Sequence, residues 1–214
     1  MAVDAFICFQ QYSGASSGGA YLSAEAQTDF SQNKEVLMNQ PFVLPTKPGQ
    51  GTVPSAGPAM FEIQDFNFDI EQTLNIGSSS SGAGAGKITF NPFSITRKID
   101  KCSPIFFQMA CSGTPFALVT LALRKSSGSG SAGAGNTSGQ VYLRFDFKLV
   151  AVKTISWSYD DESPKEEITF EYGALMVNYS PQNPDGSMLP PIAGGWNRVK
   201  NTQDTSTSLT MTNL

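Results

Sequence analysis

A mainly β fold is what this sequence predicts: a two-sheet barrel or sandwich with one short α-helix. Three observations lead there. Apolar and polar residues alternate with period two, most clearly over 61–72, where Phe66, Phe68 and Ile70 share one face and Asp65, Asn67, Asp69 and Glu71 share the other. Turn-forming residues recur between such stretches, with 20 Gly and 13 Pro among 214 residues. Charged residues make up only 15% of the chain, well below the usual ~25%, which leaves little for salt-bridged helices. The length fits a single domain, at roughly 100–200 residues per domain.

In order, residues 2–9 read as a strand carrying Val3, Phe6, Ile7 and Phe9. The stretch 41–58 holds five prolines and three glycines, which neither a helix nor a central strand tolerates, so it reads as a long extended arm. The alternating stretch 61–72 is a strand with a core face and a water face. Ser78–Gly86 and 126–139 read as Gly/Ser tips. Strand-like residues occupy 87–97, with Pro92 marking an edge or bulge. One helix is punctuated: Ser103 as cap, Pro104 in the first turn, Ile105, Phe106, Met109 and Ala110 on one side, and Gly113 at the stop. Further strands fall at Phe116–Arg124, Val141–Ala151, Val152–Tyr159 and Glu166–Tyr179. Residues 1–200 form the domain, and the Ser/Thr-rich end, 201–214, is a frayed tail. Seven to nine strands and one helix give the barrel or sandwich.

The absences exclude most chemistry. There is no histidine, which removes Ser-His-Asp and Cys-His catalysis and His-ligated zinc. The net charge of −4 offers no basic footprint for nucleic acid. Cys8, Cys102 and Cys111 form no C-x-x-C pair and read as buried reduced thiols. Gly128–Gly133 matches G-x-G-x-x-G but stands in linker composition with no helix after it. Gly82–Lys87 ends like a phosphate loop but lacks its first Gly and its Ser/Thr. Asp160, Asp161, Glu162, Glu166 and Glu167 contain carboxylate pairs of the kind glycoside hydrolysis uses, but they lie around a turn and read as solvated. Trp157 and Trp196 read as core. No signal peptide is recognised, since Asp4 interrupts the first apolar stretch and no basic segment precedes it. The longest apolar run, Pro115–Leu123, is nine residues, far short of the ~20 that cross a bilayer. The residues thus support a non-enzymatic β protein with no metal or cofactor and no membrane insertion, working by assembly or, alternatively, as a monomeric β-sandwich that binds carbohydrate or another ligand.

The order of segments carries a resemblance. The start Met-Ala-Val-Asp-Ala-Phe-Ile, Glu62-Ile63 before an aromatic strand, and Gly82–Lys87 come first. Lys98-Ile-Asp-Lys-Cys-Ser-Pro104, Ala110-Cys-Ser-Gly113 and Leu121-Ala-Leu-Arg-Lys125 follow, then Tyr179–Ser187 and Gly195-Trp196-Asn197. This series resembles the haemolysin-coregulated protein (Hcp) family of type VI secretion. The resemblance implies a structural subunit that forms a homohexameric ring. Rings stack into the inner tube of a contractile injection machine, assembled in the cytoplasm and expelled without a signal peptide. The implied partners are other copies, sheath, spike and baseplate proteins, and effector cargo in the lumen. It also implies that Asp65, Asn67, Asp69 and Glu71 line that lumen. Residues 10–60, with the arm at 41–58 represented by Pro45, Lys47, Pro48 and Val53, are longer than the family norm and the tip at 126–139 is expanded; the arm or the Gly/Ser tips are expected to touch the next ring.

Overall fold

The computed structural model describes residues 3–12, 18–22, 61–72, 88–125, 141–159, 163–184 and 189–204. The expectations for 41–58, 78–86 and 126–139 lie outside them. In chain order the elements are β1 (Val3–Tyr12), β2 (Gly18–Tyr21), β3 (Phe61–Glu62), β4 (Asp65–Asn67), β5 (Ile70–Gln72), β6 (Ile88–Phe90), β7 (Phe93–Lys98), α1 (Ser103–Ser112), β8 (Phe116–Lys125), β9 (Val141–Tyr159), β10 (Pro164–Tyr179), β11 (Ile192–Asn197) and β12 (Thr202–Gln203).

The long hairpin β9–β10 organises everything else. Its turn-proximal half, 151–159 against 164–170, belongs to one layer in the order β4-β7-β10-β9. Its other half, 141–150 against 174–179, belongs to a second layer in the order β12-β11-β10-β9-β8-β1-β2, with β3 also on β1. Two irregularities let one ribbon serve both layers. Leu149 adopts a left-handed backbone, φ 50°, and stands across from Gly173, where a Cβ would come within 3.3 Å of its own. Four residues on, the register shifts between Thr169 and Phe170, so that Thr154 and Val152 take successive partners and Lys153 is the extra residue of a bulge. The core-facing set on β9 therefore changes phase twice, from Phe145 and Phe147 to Val150 and Val152, then to Ile155.

Between the layers lies a phenylalanine core. Phe93 is stacked between Phe147, at 4.1 Å, and Phe170, at 4.8 Å. Phe9, Phe106, Phe116 and Phe170 meet edge-on or tilted at 4.9–6.3 Å, the geometry that aromatic quadrupoles favour. The helix joins through Phe106 and Met109 and ends at Gly113 (φ 68°), a left-handed stop that glycine adopts without penalty.

Several expectations change. The stretch 61–72 is three short strands rather than one, because β5 leaves the main sheet and pairs β6 in a separate two-stranded ribbon. Phe66 and Phe68 still pack on the core, but Ile70, on that ribbon, is exposed. The two strands expected over 141–159 are one. The helix is not capped by Ser103: Cys102 takes the cap position, its N–H donating to Asp100 Oδ1 at 2.7 Å. The chain beyond Lys200 starts as structure rather than fraying, since β12 pairs Trp196 and Asn197, and Lys148 bonds Asp204.

Candidate functional site

The outward side of the β4-β7-β10-β9 layer is wholly polar. Alternation turns Phe93, Ile95 and Arg97 inward on β7, so Ser94, Thr96 and Lys98 point out. On β10, Ile168 and Phe170 point in, and Lys165, Glu167 and Thr169 point out. Register then assembles rows across four strands. Asp65, Thr96, Glu167 and Ser156 form one, Asn67, Ser94, Thr169 and Thr154 the next, and Lys98, Lys165 and Ser158 flank the first. All four strands alternate in direction. Among the described residues, neither the outer edge of β4 nor that of 151–159 on β9 has a partner strand.

Of the four residues expected to share a surface, all are exposed. Asp65 and Asn67 stand on this face. Asp69 and Glu71 belong with the β5–β6 ribbon: Asn91 Nδ2 donates to Asp69 Oδ2 at 2.7 Å, and Glu71 stands opposite Thr89. Pro45, Lys47, Pro48 and Val53 lie outside the described residues. The sequence reading missed Ser94, Thr96, Thr154, Ser156, Glu167 and Thr169, although the period-two pattern of Phe93–Lys98 carried the signal.

At the turn end of this layer sits a buried ionic hub. Glu166 is fully buried, contrary to its expected place in a solvated turn, because its strand phase turns it inward beside Ile168. Its Oε1 accepts from Arg97 Nη1 at 2.9 Å and from Ser103 Oγ at 2.8 Å, and its Oε2 accepts from Trp157 Nε1 at 3.1 Å. Arg97 also pairs with Asp100 and lies over the Phe106 ring at 5.5 Å. One carboxylate thereby ties together β7, β9 and the start of α1. Trp157, expected in the core, is half exposed, with its ring 6.0 Å from that of Phe107. Trp196 does pack on the core. Asp160, Asp161 and Glu162 lie outside the described residues, and Glu166 is buried and held by three donors. Glu167 points to the outer face, away from Glu166, in the row with Asp65.

The second layer carries its own buried polar band on the side away from the core. Asp146 accepts from Thr120 Oγ1 at 2.7 Å, from Arg144 Nε at 2.8 Å and from Asn178 Nδ2 at 3.4 Å, which links β8, β9 and β10. The alternation Arg144-Phe-Asp146-Phe-Lys148 was its trace in the sequence.

The cysteines divide. Cys8 is buried, and burial pushes its thiol up to about 12, partly opposed by Arg144. Burial, helped by Asp100, raises Cys102 to about 11. Cys111 is exposed on the helix, against expectation. A thiolate-selective reagent at pH 8 is therefore expected to label one thiol of the native protein and all three in denaturant. Two fast-reacting native thiols would contradict this.

Comparison with known proteins follows the same lines. The family model described as "Type VI secretion system effector, Hcp" matches residues 50–179. Protein hcp1 of Pseudomonas aeruginosa strain PAO1 is 30% identical over 120 residues, covering 55% of this chain and 69% of that protein. A solved type six secretion system protein superposes with a TM-score of 0.65 at 17% identity, covering 95% of this chain and all of the other. Hcp1 from Salmonella typhimurium superposes at 0.54 and 15% identity, with 95% and 100% covered. Secreted protein Hcp3 from Pseudomonas aeruginosa does so at 0.52 and 16%, with 92% and 98% covered.

Proposed function

Because this chain belongs to the Hcp family of type VI secretion tube proteins, we propose that six copies close a ring whose lumen is walled by the β4-β7-β10-β9 face. The observation that carries this is the pair of polar rows, one of hydroxyls and carboxylates and one of hydroxyls and an amide, ending at two edges that have no partner strand among the described residues. The four strands alternate in direction, so β9 of one copy meets β4 of the next antiparallel, and the ladder continues without a break in sense. Closing the ring removes both edges, which would otherwise be free to aggregate. Six copies of four strands make a 24-stranded wall, roughly 35–50 Å across at normal strand spacing and tilt.

Asp65 and Glu167 share a row, with Asp69 and Glu71 beyond, against Lys98 and Lys165 on the flanking row. The four-strand face is balanced by itself, and with the β5–β6 ribbon also turned to the lumen the lining is net acidic and favours basic cargo over acidic cargo. Such a wall needs no catalytic residue, and the protein leaves the cell as part of the expelled tube. For the arm at 41–58, the reading rests on sequence alone: it contacts the next ring, and its deletion should leave rings but abolish tubes.

Light scattering tests the ring. A mass near six times 22.9 kDa is expected, whereas a monomer at high concentration would favour the ligand-binding module. The facing is tested with Asn67→Cys in a Cys111→Ser background. A small maleimide should label it in the assembled ring, and a maleimide bead far wider than the ring should not. Equal labelling by both would put this face outside.

A further inference from the structure

The second layer is buried on both of its sides. Eight consecutive residues of β8, Phe116–Leu123, are buried, and so are five of β1, Phe6–Gln10. Alternation would leave every second one in water if the core alone covered them. The sequence carries the same signal, since Phe116-Ala-Leu-Val-Thr-Leu-Ala-Leu123 is a near-continuous apolar run. Register aligns Cys8, Thr120, Asp146 and Met176 in one row on the side away from the core, each no more than 2% exposed. Phe6 and Gln10 flank Cys8 on that side and are buried as deeply. Yet among the described residues every element off this layer lies on its core side: α1 through Phe106 on Phe9, the β5–β6 ribbon through Phe90 on Tyr172, and the first layer through Phe93 on Phe147.

The path of the chain points to what packs there. Leu22 donates its N–H to Phe9 O at 3.0 Å, and Phe61 stands opposite Ile7. β2 and β3 run the same way along the same edge of β1, so one residue opposite Cys8 would join them into a single strand. The chain spends 38 residues, 23–60, at that point instead. An insertion rooted beside Cys8 leaves the edge of the layer next to the buried side. Its first half, 23–40, has no Gly or Pro and carries Phe30, Val36, Leu37 and Met38. These 18 residues would span about 27 Å as a helix or roughly 60 Å extended, against about 19 Å across the five strands from β1 to β11. The Gly/Ser stretch 126–140 has no large apolar side chain to offer.

We propose that residues 23–40 pack on the side of the second layer away from the core, with their apolar side chains over Phe6, Cys8, Thr120 and Met176. This does not depend on the ring reading. The two outward sides of the subunit then differ in kind: the first layer presents bare sheet, and the second presents the insertion. A protein that approaches the second layer from outside meets residues 23–40, not strands.

Cys8 is the reporter, because its thiol stands on that side of the layer. In a Cys111→Ser background neither remaining thiol should react quickly with dithionitrobenzoate at pH 8, since both are buried. Deleting 23–40 leaves 41–60 to bridge Leu22 and Phe61. It should speed labelling of Cys8, located by peptide mass, by about tenfold or more. Deleting 41–58, or ending the chain at Asp204, should leave the rate unchanged. A Cys8 that stays protected in the folded 23–40 deletion would overturn the proposal. So would its release by either of the other two changes, which would give this side to the Pro-rich stretch or to the C-terminal end. The full chain supplies a second readout should the deletion fail to fold. Leu37→p-benzoylphenylalanine should photo-cross-link to peptides from 3–12, 116–125, 141–150 or 174–179 of its own chain. Cross-links elsewhere, to another copy, or none at all would overturn the proposal.

Discussion

Glu166→Ala is expected to destabilise the fold by about 3–5 kcal/mol, the range seen when one partner of a buried ion pair is removed. Arg97 and Glu166 are both buried, and the loss leaves Arg97 with Asp100 as its carboxylate partner and takes the acceptor from the buried Ser103 hydroxyl and from the Trp157 indole N–H at once. At about 2–4 °C per kcal/mol for a chain of this size, the midpoint should fall by roughly 6–20 °C. Thermal melts at matched protein concentration measure it, because assembly would otherwise contribute. A loss below about 1 kcal/mol would mean that the hub is not a unit. Arg97→Met with Glu166→Ala should cost less than the two single changes summed, since the two side chains bond each other and each single change leaves the other without that partner.

Phe93→Ala is expected to cost a similar amount, about 3–5 kcal/mol, by a different route. Its ring is almost fully buried and stacked between two others at 15° and 19°. Truncation leaves a void that two rings held in strands cannot close. Phe93→Leu should recover most of the loss, and denaturant unfolding should separate the two. Equal losses for both would point to ring stacking rather than volume as the dominant contribution.

The fold was largely legible because it is written in local alternation. Phe66 and Phe68 against Asp65 and Asn67, the break at Pro92 and the stop at Gly113 each need only neighbours in sequence to be read. What escaped depends on distant partners. A glutamate in an acidic run looks solvated until register brings Arg97, 69 residues away, opposite it. Leu149 carries no Gly or Pro signal, and its left-handed backbone is imposed by the packing of two layers. Ile70 follows the alternation correctly but sits on a two-stranded ribbon rather than over the core. Trp157 was assigned to the core by composition, and it does lie on the core-facing stripe, only past the point where the core ends. The polar face was half read: the sequence identified Asp65 and Asn67, but β7, β9 and β10 joined it only through pairing.

The position of β1 has a consequence for how the chain is made. This strand lies inside the second layer, flanked by β8 on one side and by β2 and β3 on the other, with Asp4 opposite Arg124. It leaves the ribosome before β8, which follows more than 100 residues later. At about 5–20 residues per second, that is a wait of roughly 5–20 s. Throughout it, β1 has only the short β2 and β3 to pair with, and its pairing with β8 closes one of the longest loops in the protein. The β9–β10 hairpin, by contrast, closes locally within microseconds of its synthesis. The β9–β10 pairing is therefore expected to form before that of β1 with β8. β1 is the strand on which chaperone occupancy and premature aggregation are expected to concentrate until β8 is made.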